Sequence, residues 1–185
     1  MEFTLVYQGD LPPNGSSSVK WELRRKFDGQ MRKLWECAPL NDISEYIDPN
    51  YKPSDAYLGR KVRAIEFLSP VSEKISTHAD LDILLLSAGQ GQRLTLRGGD
   101  IDNRIKTLLD SLQAPHSEQE IPNCAEAPDD GRVFCLLDDD KLVRKLAVRI
   151  GQLLTVPDYS DTAHAVIDVR IRASRGLMAN IGIAL

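Results

Sequence analysis

The sequence predicts a single domain that mixes helices with strands. Apolar residues alternate at Phe3, Leu5 and Tyr7 and again at Ile167, Val169 and Ile171, the period of a half-buried strand. They recur at helical spacing at Leu23, Phe27, Met31 and Leu34, and at Ile105, Leu108, Leu109 and Leu112. The chain has 185 residues, of which 42% are hydrophobic. That is the length of one ordinary domain, with enough apolar surface to bury a core.

Taken in order, Glu2–Gln8 reads as a strand. Leu11–Ser18, with two prolines, an asparagine and a glycine, reads as a loop. Val19–Cys37 reads as a helix whose other faces are basic through Lys20, Arg24, Arg25, Lys26, Arg32 and Lys33. Trp21 and Trp35 lie four helical turns apart, on the side expected to pack against a sheet. Pro39–Gly59 is rich in Pro, Asn, Asp and Tyr and predicts irregular surface structure. Lys61–Leu68 and Leu81–Ser87 read as strands, 88–92 as a turn, and Arg93–Arg97 as a short returning strand ended by Gly98-Gly99. Asn103–Leu112 is the clearest helix, with Asp102 where an N-cap belongs. Gln113–Gly131 is a polar, acidic loop long enough to be an insertion. Leu142–Leu154 fits both periods. Leu146, Val148 and Ile150 alternate as a strand, while Leu142, Val143, Leu146, Ala147 and Ile150 also suit a helix. Ala165–Ala173 is a strand with Asp168, Arg170 and Arg172 facing outward.

Composition narrows the function classes. A charged fraction of 27% is average and excludes global disorder. Apolar runs such as Ile83–Leu86 fall far short of the roughly 20 residues that cross a bilayer, so no membrane partner is expected. Met1–Gly9 carries an acid at position 2 and lacks the basic start and apolar stretch of a secretory signal; a cytoplasmic protein is expected. Cys37, Cys124 and Cys135 are odd in number and widely spaced, and the three histidines are scattered. That pattern argues against a disulfide framework or a closed zinc site. The net charge of −4 is uneven: residues 116–140 hold eight acids and one base, leaving the rest of the chain net positive. A mildly acidic balance therefore does not exclude nucleic-acid binding.

The stretch Gly99-Asp100-Ile101-Asp102-Asn103-Arg104-Ile105-Lys106 carries the most chemistry. In extended chain, carboxylates at i and i+2 project to one side. Set before a helix, they meet its positive end, and a cation between them relieves their repulsion. Hard oxygen donors suit Mg²⁺ or Mn²⁺. Lys106 is four residues after Asp102 and four before Asp110, on the polar face of the helix. The bland alternative is a cap at Asp102 and exposed pairs from Lys106 to Asp102 and Asp110. A second acidic knot, Asp138-Asp139-Asp140, is either a solvated turn entering a strand or a further metal ligand. A dehalogenase-type phosphatase, an EF-hand, a Walker A loop and a G-x-S-x-G elbow all lack their required residues here.

Gly99-Asp100-Ile101-Asp102-Asn103-x-x-Lys106-x-x-Leu109-Asp110-x-Leu112, followed by Leu137-x-Asp139-Asp140-x-x-Val143, resembles the RusA-type Holliday-junction resolvases. Phe3–Asn14, a strand running into Pro-Pro-Asn, is similar to the family's N-terminus. The resemblance implies an α+β fold, a mixed β-sheet packed by helices, in one domain spanning residues 1–185. It implies a homodimer that cuts branched DNA with Mg²⁺ or Mn²⁺. On the matching positions, Asp100, Asp102 and Asp140 would bind metal and Lys106 would be the catalytic lysine. Asp139 matches the first acid of the pair, and the triple aspartate leaves the register open by one residue. The match also implies that Leu142–Ile150 is a strand. Relative to the family pattern, the chain carries extra irregular segments near 39–59 and 113–137.

The chemistry implied is phosphodiester hydrolysis. Metal held by the carboxylates would activate water and neutralise the phosphate, Lys106 would stabilise the phosphorane, and Asn103 would orient a ligand. Arg93, Arg97, Lys20, Arg24 and Arg25 are the expected phosphate contacts, with Arg32 and Lys33 on the same helix. Two other readings stand beside this one. One is a non-catalytic DNA- or protein-binding module of the same fold. The other is a D-x-D transferase, which would want a larger nucleotide-binding domain upstream.

Overall fold

The strand patterns of the two chain ends meet in one sheet. In the computed structural model, which describes residues 1–50, 54–88, 101–154 and 163–184, β1 (Glu2–Gly9) lies antiparallel to β7 (Ala163–Ala173). β7 is antiparallel to β4 (Thr77–Ala88), and β4 is parallel to β6 (Val143–Leu153). The order β1-β7-β4-β6 makes a mixed sheet. The ambiguous stretch after Leu142 is therefore a strand. Register aligns Phe3, Val169, Leu81 and Leu146 in one row, and Leu5, Ile167, Ile83 and Val148 in the next. All of these point to one face, because side chains of a strand alternate.

A smaller sheet carries a second, smaller apolar cluster. The strand expected over Lys61–Leu68 is instead a hairpin, β2 (Gly59–Val62) and β3 (Ile65–Leu68), turned at Arg63 in the left-handed region. β5 (Arg132–Phe134) lies parallel to β3. The stretch expected as an irregular insertion up to residue 137 therefore ends in core: Val133, Phe134, Cys135, Leu136 and Leu137 are all buried. A short apolar run gives no local clue to a partner strand some 66 residues earlier. Residues 41–47 and 54–56 of the other expected irregular segment form 3₁₀ turns, with Tyr46 buried.

Helix α1 (Ser17–Trp35) begins at Ser16, whose side chain accepts a hydrogen bond from the Val19 amide. Leu23, Phe27 and Met31 enter the main core. Trp21 packs edge-on against Phe67 of the small sheet, and Trp35 against Phe134. One helix thus joins both sheets into a single domain. Helix α2 (Ile101–Leu112) buries Ile105, Leu108 and Leu112 as its period predicts. Asp102 is in its first turn, not at the cap; the cap position is residue 100, outside the described residues.

The two edges of the larger sheet differ. At β1, the Gln30 side chain accepts from the Val6 amide at 2.9 Å and donates to the Val6 carbonyl at 2.8 Å, standing in for a neighbouring strand. At β6, no described residue pairs with the outer edge. The buried rows also end there: Leu81, Ile83 and Leu85 are at most 1% exposed, whereas Leu146, Val148 and Ile150 are 44%, 37% and 45% exposed.

Candidate functional site

The N-terminal loop docks on the helix that carries the D-x-D-N sequence. The Leu11 carbonyl accepts from Arg104, and the Gly15 amide donates to Thr107 Oγ1 at 2.9 Å. A Cβ on Gly15 would stand 2.6 Å from Thr107 Cγ2, so this approach requires glycine. At the other end of α2, Arg24 donates to the carbonyls of Asp110 and Gln113 at 2.7 and 2.9 Å. Lys20 pairs with the Asp110 carboxylate at 2.7 Å. Beyond it, the amides of Leu136 and Leu137 both donate to Leu112 O at 3.0 Å, and Ala114 N donates to Leu137 O at 2.8 Å.

Those contacts remove Arg24 from the expected DNA-binding set and show what its other α1 members hold. Arg24 is 2% exposed and closes the end of α2, so it offers nothing to a phosphate. Arg25 pairs with Asp28 at 2.8 Å. Arg32 bonds both Asp28 and Asp130. Asp28, buried, also accepts from the Phe134 amide at 2.8 Å. The cations of α1 largely tie the helix to its neighbours. Arg93, Arg97 and Asp100 lie outside the described residues.

Asp102 and Lys106 are exposed on α2. Among the described residues, neither has a hydrogen-bond or ion-pair partner. The simple pairing of Lys106 with Asp110 does not form, because Lys20 holds that carboxylate. Asn103 gives its backbone carbonyl to Thr107 Oγ1 at 3.0 Å.

The acidic triple divides into three roles. Asp138 accepts from Arg60 at 2.6 Å and from Ser72 at 3.4 Å, and is a structural anchor. Asp139 caps the 3₁₀ turn Asp140–Leu142 by accepting from the Lys141 amide at 3.1 Å. Its carboxylate stands 3.4 Å from Lys141 Nζ and 3.8 Å from His116 Nε2. Burial works to raise its pKa, but the Lys141 amide and ammonium and the nearby His116 outweigh that and hold it below the usual carboxylate range. Asp140 is exposed, without a partner among the described residues.

Sequence reasoning missed the neighbours of this knot. Arg60 Nη1 stands 2.7 Å from His116 Nδ1, and the Gln113 side-chain amide 2.6 Å from His116 Nε2. Arginine can only donate, so His116 Nδ1 accepts from Arg60. Only the position of His116, four residues past α2, hinted at this cluster; Arg60 belongs to no motif.

The two acidic groups occupy opposite ends of α2. Leu137, just before the triple, is bonded to the last residue of the helix, whereas Asp102 is ten residues and about 15 Å up its axis. Strand register agrees. Arg104 reaches Leu11, close to Gly9, which pairs with Ala163 and through it with Ser87 near the end of β4. Asp140 precedes Val143, which pairs with Ala79 near the start of β4. Eight residues of strand, roughly 26 Å, separate Ala79 from Ser87. Among the described residues, no three His, Cys, Asp or Glu side chains are grouped to hold a metal ion. No described helix is long and apolar enough to cross a membrane. Comparison with protein-family models, curated proteins and solved structures found no match for this chain.

Proposed function

We propose that the chain is a divalent-metal-dependent endonuclease of the RusA type, cutting branched DNA as a homodimer. The observation that carries this reading is the polar face of α2. Asp102 and Lys106 are exposed and without partners among the described residues, while Asp110 and Asp138 are held by Lys20 and Arg60. The first two groups join no described parts of the fold, which leaves them available for a ligand.

The donor set fits a hard cation: exposed carboxylates at Asp102 and Asp140, with Asp100 two residues before Asp102 in sequence. A bound Mg²⁺ or Mn²⁺ would supply an activated water and charge neutralisation at the phosphate. Lys106, one turn after Asp102, would place an ammonium against the phosphate oxygens as negative charge develops there. Asn103 would steady a carboxylate or a water by hydrogen bonding. The separation of Asp102 from Asp140 is the reason for the homodimer. A second copy laid antiparallel along β6 reverses that strand, and returns a second Asp140 to the end of the sheet where Asp102 stands.

The test uses an end-labelled four-way junction beside a linear duplex of matched sequence, with Mg²⁺ or Mn²⁺. Symmetric nicks in the junction alone, absent with Asp102→Asn, are expected. Metal-independent junction binding without cleavage would replace this reading with the non-catalytic module.

A further inference from the structure

We infer that β6 is the surface on which two copies of this chain meet, edge to edge and antiparallel, with Val148 on the two-fold axis. The partner rests on the homodimer proposed above; the surface and register come from independent observations.

The first is the break in burial along each row of the sheet. Leu81, Ile83 and Leu85 are covered, and their neighbours Leu146, Val148 and Ile150 on the same face are not. An eleven-residue edge strand with a bare apolar row is what folded monomers usually avoid. The second is the contrast between edges. β1 is closed at Val6 by the Gln30 amide, and no described side chain does this for β6.

The third is the strand's own residue pattern, which admits a second copy when the register keeps like charges apart. β6 carries Arg144, Lys145 and Arg149 and no acid. With Val148 opposite its own copy, Leu146 meets Ile150, Ala147 meets Arg149, Lys145 meets Gly151 and Arg144 meets Gln152. Apolar residues face apolar residues, and every cation faces a neutral one. A shift that centres Ala147 sets Lys145 against Arg149. One that centres Arg149 sets that residue against itself. Like charges directly opposite are unfavourable, and half-step shifts put the apolar row on the wrong face. Arg149 is further compensated within its own chain by Asp82 at 3.3 Å. The strand is therefore self-complementary in the register centred on Val148, which pairs Leu146 with Ile150 and opposes no like charges.

The experiment measures mass by light scattering and crosslinking by mild oxidation, neither of which depends on nuclease activity. The unmodified protein should run as a dimer and Val148→Lys as a folded monomer. In a background with Cys37 and Cys124 changed to serine, Val148→Cys should crosslink to itself and Gln152→Cys should not. A monomer at 100 µM, or a dimer undisturbed by Val148→Lys, would overturn the surface. Crosslinking through Gln152→Cys in place of Val148→Cys would overturn the register. A dimer that cuts no junction would sink the nuclease reading and leave the interface standing.

Discussion

Helices α1 and α2 both present charged residues opposite an apolar stripe, and they use them in opposite ways. In α1, Lys20, Arg24, Arg25 and Arg32 reach Asp110, two backbone carbonyls, Asp28 and Asp130. The contacts of Lys20, Arg24 and Arg32 with Asp110, the two carbonyls and Asp130 are tertiary joints to the end of α2 and the approach to β5, whereas the pairs with Asp28 lie within α1. In α2, Asp102 and Lys106 point to solvent and join nothing among the described residues. A basic face in sequence is thus no measure of what a phosphate can reach. A charge that touches no neighbour is the better sign of a ligand.

The comparison is broken most severely at Asp28. Asp28→Asn leaves two arginines and the Phe134 amide facing a weaker acceptor, and should cost about 3 kcal/mol, read by chemical denaturation. Arg24→Ala opens a cavity and strands the carbonyls that end α2. A loss of about 2 kcal/mol is expected in the same assay, accompanied by faster amide exchange near residues 110–113.

Asp130 gives a smaller, pH-dependent effect. The hydrogen bond from Arg32 is the main cause that holds its carboxyl below the usual range. A carboxylate with a depressed folded pKa contributes stability above its unfolded pKa, and loses it as pH falls through the folded value. Asp130→Asn should lower stability at pH 7 by a small amount, because the pair is half-exposed. The two proteins should converge as pH falls, which flattens the acid side of the curve. The smallest effect on stability is expected at Asp102→Asn and Lys106→Ala, each within about 0.5 kcal/mol of the unmodified protein. The same two changes should abolish junction cleavage. A large loss of stability in either would show that they, too, are joints, and would erase the difference between the helices.

Much of the fold was legible in particular residues. Phe3, Leu5 and Tyr7 announced β1, and Ile105, Leu108 and Leu112 announced α2, because one-sided burial imposes its period on the chain. Val133–Leu137 was not legible as core, since its ladder partner β3 lies far back in the chain. Lys61–Leu68 concealed a turn because Arg63, not glycine or asparagine, takes the left-handed conformation. Within the site, the D-x-D pattern marked Asp102 and Lys106. Nothing local marked Arg60 as the partner of Asp138 or Arg24 as the end-piece of α2.

The sequence by itself determined most of the elements and the short-range pattern: which stretches alternate as strands or repeat as helices, and which residues are candidates to hold a cation. Those properties follow from spacing along one chain. Tertiary structure alone decided, among the described residues, which charges are joints and which have no partner, which strand has an unpaired edge, and that the two acidic groups stand at opposite ends of one helix. Each of these depends on contacts between residues distant in sequence, where burial and register, not local pattern, set the energy.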